Sequence, residues 1–318
     1  MAGASRLGHS SLPLDDFREV GRLVSNWGRW GEDDQRGTLN LITPEVVRAA
    51  AREVVTGEVL SLAVPFDQNG PQDGRVRSNP LRLMKETGHR SQGYPGAFRY
   101  ADDYVVMALQ AASQWDALAH VSYDGLLYNG FSADTVGVDG ADRCAVTNLL
   151  PSVTSRAVLV DVARHRGVPW LEAGTPIEPD DLDEVLAAQG SEVREGDVIL
   201  VRTGWWARFL SDGDKAAYKA GEPGLTLACA GWLHERGVAA VGSDNFAVEV
   251  LPGQVEGEYL PFHMVALRDL GMPLAEILDL EGWSAACAAD GRYSAFLCAS
   301  PLPFTKGVGS PVNPVVVR

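Results

Sequence analysis

Apolar residues along this chain fall into short, dense runs punctuated by glycine, proline and aspartate. Ala157–Ala163, Asp197–Arg202, Val238–Ser243 and Ser294–Ala299 each hold a β-rich apolar segment of strand length. Runs without alternation suit strands covered on both faces. Glu58–Phe66 and Tyr104–Leu109 add two further expected strands, and Asp67-Gln-Asn-Gly70 reads as a turn. Thr43-Pro44-Glu45 predicts a helix start, with an N-cap followed by proline at the first helical position, and Gly57 is its expected stop. Residues 179–189 predict an acidic helix ended by Gly190, and Thr226–Arg236 a helix ended by Gly237. A helix-like run surrounds His263 to Leu270. Residues 1–25 read as an arm that orders only against something else, such as a second subunit. The stretch from Gly70 to Ala101 has little periodicity and reads as a long loop, and the end of the chain as a Pro/Gly-rich tail. Strands interleaved with helices, without repeats or a linker, predict one α/β domain over residues 26–318, a mixed sheet flanked by helices.

Composition narrows the partners. At 318 residues and 46% hydrophobic content the chain can build a sizeable core. Forty-two acids against 27 bases give a formal charge of −15, which argues against nucleic acid and anionic membranes as partners. No apolar run approaches a membrane span, and the start lacks the apolar segment of a signal peptide. Cys144, Cys229, Cys287 and Cys298 lie far apart with no CxxC pair, as expected for thiols of a reduced, cytoplasmic protein.

The chemistry gathers in Gln110-Ala-Ala-Ser-Gln114-Trp115-Asp116-Ala-Leu-Ala-His120. Gln110, Gln114, Asp116 and His120 can each hold or use a metal. A helix, turning about 100° per residue, would put the glutamines on a different face from Asp116 and His120. A straight strand of this length would span roughly 30 Å, too far for its ends to share an ion. The segment is therefore expected to leave a strand and fold back through a turn. Elsewhere, His263 in apolar company and Glu276, which breaks an apolar run thirteen residues on, pair as candidate ligands. Asp244, at a strand end and followed by Glu249, reads equally as a residue facing the same cleft and as an ordinary turn aspartate. His9, His89, His165 and His234 have the neighbours of an arm, a loop or a solvated surface. No phosphate loop, nucleophile elbow or nucleotide fingerprint is present.

On these residues the chain resembles the putative cyclase family of metal-dependent hydrolases, which includes bacterial kynurenine formamidase and isatin hydrolase. The family signature H-x-G-T-H-x-D-x-P-x-H runs in register with 110–120: Asp116 and His120 match, Gln110 and Gln114 replace the first two histidines, Ala112 and Ser113 the Gly-Thr, and Leu118 the proline. His263 with Glu276, Arg202-Thr-Gly-Trp205, Pro223-Gly-Leu225 and the Gly-Ser-Asp244 strand end extend the similarity. The Q-x-x-x-Q-x-D-x-x-x-H pattern is similar to zinc-dependent trans-dienelactone hydrolase. The resemblance implies a swivelling β/β/α fold and a divalent metal, zinc or alternatively manganese. It further implies Gln110, Gln114, Asp116, His263 and Glu276 as ligands and His120 as the proton-transfer residue. Trp115 and Asp244 are expected to line the substrate pocket or support the ligands. Glutamine oxygens are neutral, harder donors than imidazole, which lowers zinc affinity and is also compatible with a metal-free ligand-binding protein. The activity implied is hydrolysis of a cyclic ester, with aryl formamide or cyclic amide hydrolysis as the alternative. Arg75, Arg77, Arg82 and Arg202 are the candidate contacts for an anionic small-molecule substrate, and a homo-oligomer, a dimer or larger, is the expected assembly.

Overall fold

Nine short strands hydrogen-bond into one mixed sheet in the computed structural model, which describes residues 13–89, 93–151 and 153–318. Numbered along the chain they are β1 Val59–Ser61, β2 Gln114–Asp116, β3 Thr154–Asp161, β4 Val198–Arg202, β5 Ala240–Ser243, β6 Leu274–Glu276, β7 Ser294–Cys298, β8 Gly309–Pro311 and β9 Val315–Val317. Their order in space is β1-β9-β7-β3-β4-β5-β6-β2-β8. The four central strands β3, β4, β5 and β6 run parallel, and every pairing outside them is antiparallel. All of β4 and β5 and nearly all of β3 are buried, which accounts for their unbroken apolar runs.

Alternation along these strands feeds two cores. Val158, Val160, Ile199 and Val201 join Phe17, Leu118, Trp232 and Phe262 on one face. Leu159, Val198 and Leu200 join Leu39, Trp115 and Trp283 on the other. The helix Pro44–Ala50 starts as expected, with the Thr43 hydroxyl accepting from Val46 N and proline at its head. It ends at Ala50 and tightens into a 3₁₀ turn at Ala51–Glu53, so Gly57 is not its cap. Gly57 instead turns the chain into β1 at φ +77°, its N–H bonded to the Arg318 carbonyl. Pro179–Gln189 closes on Gly190 in the left-handed conformation, as expected.

Four expectations change. Phe17–Val24 is a helix capped by Asp16, and Phe17, Val20 and Val24 are buried in the first core, so this part of the expected arm packs on its own chain. The rest of that arm, residues 1–12 with His9, lies outside the described residues. The stretch 70–101 holds a strand, Leu81–Glu86, paired with Asp102–Val106 in a hairpin whose residues are almost all exposed. The expected strand at Tyr104–Leu109 is the second arm of that hairpin and stops at Val106. The Pro/Gly-rich tail supplies β8 and β9, strands of three residues each, too short for periodicity to be read.

Candidate active site

The motif is built around β2, and register does most of the positioning. Ser113, fully buried, anchors its start: its hydroxyl donates to the Ile277 carbonyl at 2.6 Å and accepts from Val64 N at 2.9 Å. β2 pairs with β6 so that Gln114 lies opposite Glu276. Facing residues of neighbouring strands share a side of the sheet, and the Gln114 amide Nε2 donates to Glu276 Oε2. Two residues on, Asp116 points the same way, while Trp115 points to the other face. There its indole donates to the Ala299 carbonyl at 2.8 Å within the second core. Trp115 is thus packed in the second core, across the sheet from Gln114 and Asp116.

A tight turn follows. His120 N bonds to the Ala117 carbonyl at 2.8 Å, bringing His120 Nε2 to 3.7 Å from Asp116 Oδ1. The expected reversal exists, but it comes as two turns flanking a short strand, with Ala108–Ala111 forming the one before it. Gln110 sits in that first turn, 8% exposed, beside Gly309, the residue paired with Asp116 on β8. A Cβ at Gly309 would fall 2.5 Å from Gln110 Nε2, so glycine is what lets the glutamine lie against the strand.

His263 arrives from the short helix Pro261–Met264, which runs on into a π-helix over Val265–Leu270. Buried Glu249 caps it, accepting from His263 N at 2.6 Å and Phe262 N at 3.4 Å. His263 Nδ1 lies 3.1 Å from the Ala247 carbonyl, which can only accept, so Nδ1 carries a proton. Its Nε2 then faces Asp116 Oδ2 and Glu276 Oε1, each at 3.3 Å. Two β-branched residues hold positive φ beside these groups: Ile277 at +55° follows Glu276, and Val248 at +61° separates Ala247 from Glu249. Such backbone is held by its surroundings at a cost and recurs at functional sites.

Asp116, His263 and Glu276 thus bring three ligand atoms within 4.8 Å of one another, all three residues buried. A divalent metal fits this set. Two buried carboxylates need a compensating charge. Asp116 Oδ1 and Gln114 Oε1 are buried without a hydrogen-bond partner, an arrangement that a cation completes. The electrostatics divide the acids. Burial disfavours the Asp116 carboxylate, but His120, His263 and Arg77 together hold it below its ordinary range. Burial, then the neighbouring Asp116 charge, push Glu276 well up. His120 is held below its usual value, chiefly by burial, which favours the neutral imidazole.

A half-buried rim of Arg77, His120, Lys219 and Phe246 closes over these groups. Arg77 Nη2 lies 3.4 Å from His120 Nε2, and its Nη1 donates to the Gln110 carbonyl at 3.2 Å. Lys219 stands over the Phe246 ring, 3.1 Å from its centroid. Below, Glu222 accepts from Phe246 N and Ala247 N at 2.7 Å each, and burial pushes it up to about 8.

Asp244 turns out to be committed elsewhere. Both its oxygens accept from the turn after β4: Thr203 N at 2.9 Å, Thr203 Oγ1 at 2.6 Å and Gly204 N at 2.7 Å. It braces that turn from full burial. Arg202, one of the four candidate cations, is bonded to Asp161 and Glu281. Arg75 and Arg82 are exposed beside Asp73 and Asp103. Of the four, Arg77 is the one at the site. Lys219, near the end of the helix Lys215–Ala220, and Glu222 just past it escape a sequence reading because nothing local marks either. All four cysteines are free thiols, three buried and Cys298 exposed.

A curled mixed sheet with helices on its faces and a buried Asp–His–Glu cluster at the end of β2 and β6 defines a class of α/β protein with a metal-ligand-type site. The chain belongs to the putative cyclase family, whose model matches residues 30–250. It is 39% identical, over 93% of its length and all of the other chain, to a structure described as a novel cyclase, with a TM-score of 0.87. It also shares its fold with isatin hydrolase A from Ralstonia solanacearum, at 20% identity, 86% and 98% coverage and a TM-score of 0.61. A predicted metal-dependent hydrolase from Bacillus stearothermophilus superposes with a TM-score of 0.52 at 16% identity, covering 81% and 97% of the two chains. No curated protein sequence matches it.

Proposed function

We propose that this chain is a metal-dependent hydrolase that opens a cyclic ester. The observation that carries this reading is the buried Asp116–His263–Glu276 cluster with His120 Nε2 3.7 Å from Asp116. In this reading Asp116, His263 and Glu276 hold one divalent ion, zinc or alternatively manganese. Gln114 Oε1, buried without a hydrogen-bond partner, would serve as a further donor while its Nε2 keeps Glu276 oriented. Gln110 supports the same set from the preceding turn. When bound, such an ion polarises the scissile carbonyl and acidifies water. His120 takes the proton from the attacking water at Nε2 and returns it to the departing alkoxide. The His263 Nδ1–H bond to Ala247 fixes that ring's tautomer, and the Glu249 cap fixes its helix.

Amide hydrolysis is the second reading, favoured by the isatin hydrolases among the structural neighbours. Two glutamines in place of histidines leave fewer nitrogen donors and favour one ion over two. A trans-dienelactone assayed beside N-formylkynurenine on zinc-loaded protein separates the readings: turnover of the lactone alone is expected. His120→Ala should keep its metal and lose about 10² to 10⁴ in turnover. Full activity in that variant would assign the proton transfer elsewhere. The partners in this reading are a small-molecule substrate and a second copy of the chain, which would cover the exposed hairpin.

A further inference from the structure

Among the described residues, six that are not glycine hold positive φ, and only two of them are β-branched: Val248 at +61° and Ile277 at +55°. Such side chains tolerate left-handed backbone least, so each is held there by its surroundings. Both donate their N–H to one residue. Asn245, fully buried, accepts from Val248 N at its side-chain Oδ1 and from Ile277 N at its own carbonyl, each at 2.9 Å. Its amide Nδ2 donates to the Pro223 carbonyl at 2.6 Å, which fixes the side chain with Oδ1 toward Val248.

These two N–H groups sit in peptides that adjoin the cluster. That of Ile277 belongs to the peptide following Glu276. That of Val248 belongs to the peptide whose carbonyl is Ala247's, and this carbonyl also accepts from Glu249 N at 2.6 Å and lies 3.1 Å from His263 Nδ1. A bond from Glu249 N back to the Ala247 carbonyl, across a positive-φ residue, is the rare and strained form of the γ-turn. Without that carbonyl as acceptor the imidazole proton would move to Nε2, where Asp116 Oδ2 and Glu276 Oε1 stand at 3.3 Å to receive it. No lone pair of the ring would then face the carboxylates.

We propose that Asn245 is the positioning residue of the cluster: by holding two strained peptides it makes His263 present Nε2, and Glu276 its carboxylate, to one ion. The ion rests on the hydrolase reading above, whereas the choice of His263 nitrogen does not.

The test uses the full-length protein with two replacements at position 245. Asn245→Ala removes the acceptor, and Asn245→Ser supplies a hydroxyl that accepts from nearby backbone N–H groups more weakly. Both forgo the amide's bond to Pro223, so their difference isolates the bond to Val248. Nitrogen-15 NMR of the metal-free protein reads the His263 tautomer, competition with a chelator reads zinc affinity, and thermal denaturation reads the fold. Wild type should carry the His263 proton on Nδ1. Asn245→Ala should populate the Nε2–H form and weaken zinc by about 10- to 100-fold, with Asn245→Ser in between. Ser155→Ala, which removes a buried hydrogen bond from β3 to the Gly196 carbonyl, should lower the melting temperature and leave tautomer and zinc affinity as in wild type. Wild-type tautomer and zinc affinity in Asn245→Ala would overturn the assignment, and so would an equal loss of zinc in Ser155→Ala. If wild type takes up no zinc yet Asn245→Ala still shifts the tautomer, Asn245 keeps its role and the metal-dependent reading falls.

Discussion

Glu222 shows how single residues here trade solvation for position. Its carboxyl is buried, accepts two backbone N–H groups and is raised from an ordinary 4.5 to about 8. Between those values the folded chain keeps a proton that the unfolded chain has lost. Stability contributed by this group is therefore complete below 4.5 and drains away as pH rises through 8. Urea midpoints should fall between pH 5 and pH 8, and Glu222→Gln should flatten that slope while lowering the midpoint at pH 5. An unchanged slope in the variant would mean that Glu222 titrates normally. At this scale the sequence spoke clearly where a polar residue interrupts apolar company, as with His263 and Glu276. It left Trp115 and Asp244 open, because position along the chain does not say which face a side chain points to or which backbone groups claim it.

At the scale of elements, the site is a junction between β2, β6 and the loop that carries Ala247 to Glu249. That loop packs backbone to backbone against Gly224: a Cβ there would come 2.3 Å from the Glu249 carbonyl carbon and 2.5 Å from the Val248 oxygen. Gly224→Ala should cost about 1–3 kcal/mol by overpacking and should loosen His263 through its Glu249 cap. Denaturant unfolding and metal affinity measured together check this, and native stability in the variant would show that the loop can yield. The buried strands were legible because dense apolar runs bounded by glycine admit few alternatives. β2, β8 and β9 were not, since three-residue strands take their identity from neighbours that periodicity cannot name. The motif's geometry was half legible: spacing ruled out a straight strand, but only the β2–β6 register explains why Gln114 meets Glu276.

For the molecule as a whole, the hairpin is the part left unsupported. Leu81, Leu83, Met84, Tyr104, Val105 and Val106 are each about half exposed, and they occupy both of its faces. A lone two-stranded hairpin is marginal in water, and apolar surface of this kind marks contacts with other chains. Sedimentation at micromolar concentration should give twice the 34.1 kDa chain mass, shifting toward monomer in Leu83→Lys. A wild-type monomer would remove the second copy from the account. No helix among the described residues is long and apolar enough to cross a membrane. Family membership was legible from the order and spacing of weak pieces spread over the chain, because a fold tolerates change everywhere except where side chains must converge.

That convergence is most directly tested by counting metal. Protein purified without chelator should carry about one zinc or manganese per chain by elemental analysis, and Asp116→Ala should carry almost none while keeping its circular dichroism. Less than about 0.2 metal per wild-type chain after zinc loading, or the same metal content in Asp116→Ala, would contradict the assignment of Asp116, His263 and Glu276 as the centre of this protein's chemistry.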